Sequence, residues 1–156
     1  ENIRSNKDAM AETIENNLRR VIIEESPTNP MYYEKMSVLL DELIKRRREA
    51  TLEYEKYLNE IIALSRKVKK PNTATEYPAS LDTNAKRALY DNLGKNEELA
   101  IELDHKIMTT KKDVWRDNKI KTREVEYVIK EVLDTFQIKE PDVAYIVELV
   151  KNQKDY

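Results

Sequence analysis

Between Lys111 and Arg123 the chain sets Lys111, Lys112, Arg116, Lys119, Lys121 and Arg123 against only Asp113 and Asp117, with Trp115 among them. Cations at this density can neutralise phosphates, and an indole beside them can stack on a base, so the grouping carries the chemistry of tracking a nucleic-acid backbone. Trp115 can equally be the anchor that holds a loop on a core, because a lone indole buries a large apolar area. A second block, Lys45-Arg46-Arg47-Arg48, covers a full helical turn, so part of it faces a core and part faces out. Arg46 and Arg48 are its candidates for phosphates or for a partner's acidic residues; the alternative is a solvated face with Arg47 snorkelling past the core. Tyr32 and Tyr33 are adjacent, and nine tyrosines stand against one phenylalanine. That bias suits either a core rimmed by polar contacts or a surface that docks on another protein, which makes Tyr32, Tyr33 and Trp115 the partner-binding candidates.

Catalytic chemistry is sparse. A nucleotide motor needs a glycine-rich loop followed by lysine, so that backbone N–H groups can wrap a phosphate. Gly94 is the only glycine, and Gly94-Lys95 follows a short helical pattern and reads as a helix stop. Asp104-His105-Lys106 and Asp117-Asn118-Lys119 have the local spelling of a metal-dependent nuclease, but neither falls on a plausible strand. His105 is the only histidine and there is no cysteine, so a histidine pair, a thiol nucleophile and a thiolate metal site are all excluded. No catalytic residue, no metal ligand and no cofactor is expected in this chain.

The elements that must carry these groups are helices. From Asn29-Pro30 to Pro71 there is no internal proline or glycine, and Met36, Leu40, Leu43, Arg47, Ala50, Tyr54, Tyr57, Ile61, Leu64 and Val68 step by four and three. The spacing predicts one helix from about 30 to 70, roughly 60 Å long at about 1.5 Å per residue. A first helix is expected from Asn6 to Glu25, turned into the long one by Ser26-Pro27-Thr28-Asn29. An irregular stretch follows from Pro71 to Asp82. Thr83 or Asp82 then caps a short helix ended by Gly94, Asn96 caps another carrying Leu99, Leu103 and Ile107, and two more run from Thr122 to Thr135 and from Pro141 onward. The stretch around Trp115 reads as a loop or a broken helix. The expected class is all-α, a single irregular domain over residues 1–156, with about six helices around one very long one.

Composition agrees. Forty per cent hydrophobic content in 156 residues supports one core, and 37% charged residues with one glycine favour helices. Net charge is −2, but its segregation can hold a phosphate-facing surface on a nearly neutral chain. No stretch is apolar enough to span a membrane, and the absence of cysteine suits a reducing cytosol. The chain opens on Glu1 rather than methionine, and the expectation is a piece of a longer polypeptide.

Particular strings carry a resemblance. Asn29-Pro30-Met31-Tyr32-Tyr33-Glu34-Lys35-Met36-Ser37, then Leu39-Leu40 and Arg46-Arg47-Arg48, Tyr77-Pro78, Leu89-Tyr90-Asp91-Asn92-Leu93-Gly94, Trp115-Arg116 and Lys121-Thr122-Arg123 follow one another in order. From about Asn16 to Val128 the chain resembles the C-terminal region of the motor (restriction) subunit of type I restriction-modification enzymes, and within them the IC subfamily. The resemblance implies a bacterial, cytoplasmic parent with a nuclease domain and two helicase domains, none of them present here. That parent uses ATP and Mg2+ to translocate duplex DNA and cuts it as a site-specific deoxyribonuclease. It further implies that this region supports assembly with the methyltransferase and specificity subunits and with the rest of the motor subunit, and touches duplex DNA without reading sequence. A pure assembly module without DNA contact is the alternative, and a nucleotide-holding surface is a third reading.

Overall fold

Ala50 takes a left-handed backbone conformation, φ +53°, and there the expected long helix ends. The computed structural model describes residues 2–71 and 77–156, with side chains from residue 6 onward. Its elements are α1 (Asn2–Glu25), α2 (Pro30–Arg48), α3 (Tyr54–Lys69), α4 (Asn84–Asn92), α5 (Glu97–Thr110), α6 (Lys119–Thr135) and α7 (Val143–Lys151). Short 3₁₀ turns lie at Ser26–Thr28 and Trp115–Asp117, and no strand occurs among the described residues. The chain is all-α. Of the irregular stretch expected from Pro71 to Asp82, residues 72–76 lie outside the described ones.

The contacts gather into two compact units. The first holds α1, α2 and α3, each packed on the other two. Its core takes Met36, Leu40 and Leu43 from α2, Tyr57, Ile61, Leu64 and Val68 from α3, and Ala11, Leu18 and Ile22 from α1. The α2 and α3 members are seam positions read from the sequence, but the single helix from 30 to 70 is replaced by an antiparallel pair. The α2 end is closed by a Schellman cap: Thr51 N–H donates to Arg46 O at 3.1 Å and Ala50 N–H to Arg47 O at 3.1 Å. The Thr51 hydroxyl donates to Arg46 O as well. Folding back lets the two halves of the apolar seam cover each other, where a straight 60 Å helix would leave one end wet. The pairing runs tip to tail, since the Tyr32 and Tyr33 hydroxyls at the start of α2 donate to Lys67 O (2.6 Å) and Val68 O (3.3 Å) at the end of α3.

The second unit holds Pro27–Asn29 and the chain from Tyr77 onward, α4 to α7. Leu89, Leu99, Leu103, Ile107, Trp115, Val125, Ile129, Ile146 and Val150 fill its core. Side-chain caps start its helices: Thr83 accepts from Lys86 N, Asn96 from Leu99 N, Asn118 from Ile120 N and Lys121 N, and Asp142 from Tyr145 N. The Asn118 cap starts α6 at Lys119 rather than Thr122, and the Asp142 cap places Pro141 ahead of α7 instead of at its first residue. Gly94, at φ +73°, ends α4 with Lys95 N–H on Tyr90 O, and Gln137, at φ +57°, ends α6 with Ile138 N–H on Leu133 O. A partly buried polar network joins elements of this unit. Asn29 Nδ2 donates to Asp91 Oδ2 at 2.8 Å, Asn92 Nδ2 to Asn29 Oδ1 at 2.7 Å, the Tyr145 hydroxyl to Asn92 Oδ1 at 2.9 Å, and the Tyr77 hydroxyl to Asp91.

Candidate docking and nucleic-acid surface

Trp115 is buried to 2% exposure at the start of its 3₁₀ turn, where the Thr122 hydroxyl donates to its carbonyl at 2.6 Å. Its ring is a loop anchor in the core of the second unit. Arg116 turns inward beside it. The guanidinium lies 4.9 Å from the indole centre and donates to Lys151 O (2.8 Å), Gln153 O (2.6 Å) and Tyr156 O (2.7 Å). Three carbonyls occupy this fork, so Arg116 fastens the segment after α7 and offers little to a phosphate. Other groups fasten the same segment: Gln153 Nε2 donates to Thr28 O at 2.6 Å, Asp155 Oδ2 accepts from Ala85 N at 3.0 Å, and the Tyr156 hydroxyl donates to Asp104 Oδ1 at 2.5 Å. Burial, then the hydrogen bond to Asp104, pushes the Tyr156 phenol well above its ordinary range.

The remaining cations of this stretch face outward. Lys112 pairs with Glu124 at 3.1 Å, and Lys121 Nζ donates to Asp113 O at 2.9 Å, both at exposed positions. Lys119 and Arg123 are exposed and Lys111 is half-buried, and none of the three has an ion-pair partner within 4 Å among the described residues. Lys119 and Lys121 stand in the first turn of α6, which holds no acidic residue. Cations there oppose the helix dipole, and an arriving anion or carboxylate offsets that cost.

Three residues outside the sequence expectation share this surface. Val114, Ile120 and Tyr127 are 72%, 71% and 69% exposed, the most exposed large hydrophobics among the described residues. Ile120 and Tyr127 are seven apart on α6, opposite its buried line of Thr122, Val125, Ile129 and Val132. That spacing was the available sequence signal for them.

The other candidates are dispersed. Arg46 pairs with Glu60 on α3 at 3.0 Å. Arg48 lines an open groove of about 570 Å³ between α1 and α2, where Arg19 and Lys45 alternate with Glu12, Asp41 and Glu49. Neither lies in the same unit as the 111–123 surface. Tyr32 and Tyr33 are buried with their hydroxyls on backbone carbonyls of α3, so the expected aromatic partner surface of Tyr32, Tyr33 and Trp115 is turned into the two cores. Among the described residues no three metal-ligating side chains gather, and no helix is long and apolar enough to cross a membrane. Comparison of the chain with protein-family models, with curated proteins and with solved structures gave no match.

Proposed function

We propose that this chain is the C-terminal helical domain of the motor subunit of a bacterial, cytoplasmic type I restriction-modification enzyme, similar to the IC subfamily. In this reading it is a non-catalytic module that docks on the methyltransferase and specificity subunits and touches duplex backbone while the parent translocates with ATP and Mg2+ and cleaves. The observation that carries it is the meeting of the strings on which the resemblance rests. Asn29 of the first string bonds Asp91 and Asn92 of the fourth, and Tyr77 of the third bonds the same Asp91. This meeting of separate strings in one polar network supports the reading, because a connected network constrains its members together. Backbone contact falls to Lys111, Lys112, Lys119, Lys121 and Arg123, without Arg116. Contacts of this kind position DNA and weaken steeply with salt. In the assembled enzyme, reversing Lys111, Lys112 and Lys121 to glutamate is expected to weaken DNA retention and flatten its salt dependence. Unchanged affinity and slope would remove DNA contact from the reading and leave the pure assembly module, which the exposed Val114, Ile120 and Tyr127 favour.

A further inference from the structure

We propose that the groove between α5 and α6 is a docking site for an arginine side chain of a basic protein segment. The proposed function assigns nothing to this groove, so the two stand or fall separately.

The groove has a volume of about 360 Å³ and opens to solvent within the second unit. Ile101, Val132 and Phe136 form an apolar floor, Ile101 being 37% exposed while the other two pack on the core. An apolar stem laid on that floor removes both surfaces from water. Above it, Glu98 and Glu102 stand one turn apart on α5, and Glu131 reaches the groove from α6. Lys106 is the one cation among the lining residues, so the rim carries three negative charges against one positive. None of these four has an ion-pair partner within 4 Å among the described residues. The immediate surroundings keep the sign. Lys130 precedes Glu131 and lies about 100° round α6 from it, on the side away from Val132, whereas Asp134 adds a carboxylate one turn beyond Glu131. Lys95, ahead of α5, approaches no carboxylate within 4 Å.

An apolar floor under a negative rim calls for a cation on an apolar stem, and it repels a phosphate backbone. Arginine fits both halves better than lysine does. Its flat guanidinium is weakly hydrated, forks onto carboxylates and can lie against an aromatic ring such as Phe136, whereas an ammonium is a strongly hydrated point charge. Lys106 lies eight residues along α5 from Glu98, about 12 Å, and opposes a second cation at its end. The groove therefore takes one arginine, seated among Glu98, Glu102 and Glu131.

The test titrates the isotope-labelled chain with acetyl-Leu-Arg-Leu-amide, and with the same tripeptide carrying lysine or citrulline in place of arginine, following the amide NMR signals. The arginine peptide is expected to shift signals of residues 98–106 and 131–136, the lysine peptide to bind more weakly, and the neutral citrulline peptide at least about tenfold more weakly. Glu98→Gln/Glu131→Gln should weaken the arginine peptide about tenfold, and Lys106→Gln should tighten it. Glutamine keeps helix propensity, so circular dichroism should match wild type. Should the first pair not match, Glu102→Gln/Glu131→Gln, which keeps both carboxylates in the first turn of α5, takes its place. Citrulline bound as tightly as arginine would reveal an apolar groove indifferent to charge, and lysine bound as tightly would reveal a general attraction of cations; either overturns the assignment. Signals shifting only elsewhere, or binding by none of the three peptides, overturns it as well.

Discussion

Arg47 and Glu15 form a two-point ion pair inside the first unit, with Nε donating to Oε2 at 2.7 Å and Nη2 to Oε1 at 2.9 Å. The two side chains are 8% and 3% exposed. The Tyr57 hydroxyl donates to the same Oε2 at 2.8 Å, so each of the three helices of the unit contributes one member. The bonded carboxylate holds the guanidinium more firmly protonated than usual, chiefly through the hydrogen bond to Glu15. Arg47 is the one interruption in the apolar seam, and it lies three residues before the bend at Ala50.

Breaking this pair from one side leaves a charge buried without its partner. Arg47→Ala is expected to cost about 3–5 kcal/mol, while Arg47→Met with Glu15→Leu is expected to fall near wild type, because the desolvation of both charges is relieved together. Urea unfolding of the two singles and the double measures this. A double variant as unstable as the worse single would show that the three-helix packing depends on the charges themselves.

The left-handed helix ends give a second expectation. Ala50 and Gln137 hold φ of +53° and +57° where glycine is preferred, so Ala50→Gly and Gln137→Gly should each stabilise by about 0.5–1 kcal/mol. Gly94→Ala should cost about 1 kcal/mol through conformation alone, since an added Cβ would meet nothing within 4 Å. Denaturation midpoints decide, and a stabilising Gly94→Ala would contradict the cap geometry.

These three caps mark what the sequence could and could not disclose. Gly94 announced its helix stop, and Asn96 and Thr83 announced starts, because those residue types are chosen for such positions. Ala50 and Gln137 adopt the same left-handed stop without any residue that signals it, and α2 therefore ran on into α3 in the sequence reading. What ended it was long range: the apolar faces of Leu40 and Ile61 needed cover, and Glu15, more than thirty residues from Arg47, accepted its charge. The seam itself was legible down to its interruption. The basic surface was legible by composition, but a count of cations gave no sign that Arg116 would be claimed by three carbonyls from 35 to 40 residues away.

Arg116 is accordingly expected to act on stability before it acts on DNA. Arg116→Ala should destabilise the second unit by about 3 kcal/mol, as charge-assisted bonds to buried carbonyls are lost together, and should release amide protection over residues 151–156. Hydrogen exchange with thermal unfolding checks this. Weakened DNA retention at unchanged stability would instead return Arg116 to the contact surface.

Alkaline pH should unfold the chain through its buried phenols. Burial, then the Glu25 charge, pushes Tyr33 up to about 12 from an ordinary 10.0, and Tyr57 and Tyr156 are raised too, by burial and then by their bonds to Glu15 and Asp104. A phenol neutral in the fold but ionised near pH 10 in the unfolded chain contributes stability that is whole below about 10 and lost as pH rises through about 12. Phenolate absorbance and helical circular dichroism should therefore change together in that window, and Tyr33→Phe should move the onset upward. Phenolate appearing with the helices intact would contradict the burial.

The central claim is that this chain is a docking module of a type I motor subunit. The most direct measurement is assembly of the parent subunit, with and without this segment, on its methyltransferase core in the presence and absence of DNA. The account predicts that deletion abolishes association even without DNA. Full association together with undiminished retention on DNA after deletion would contradict it.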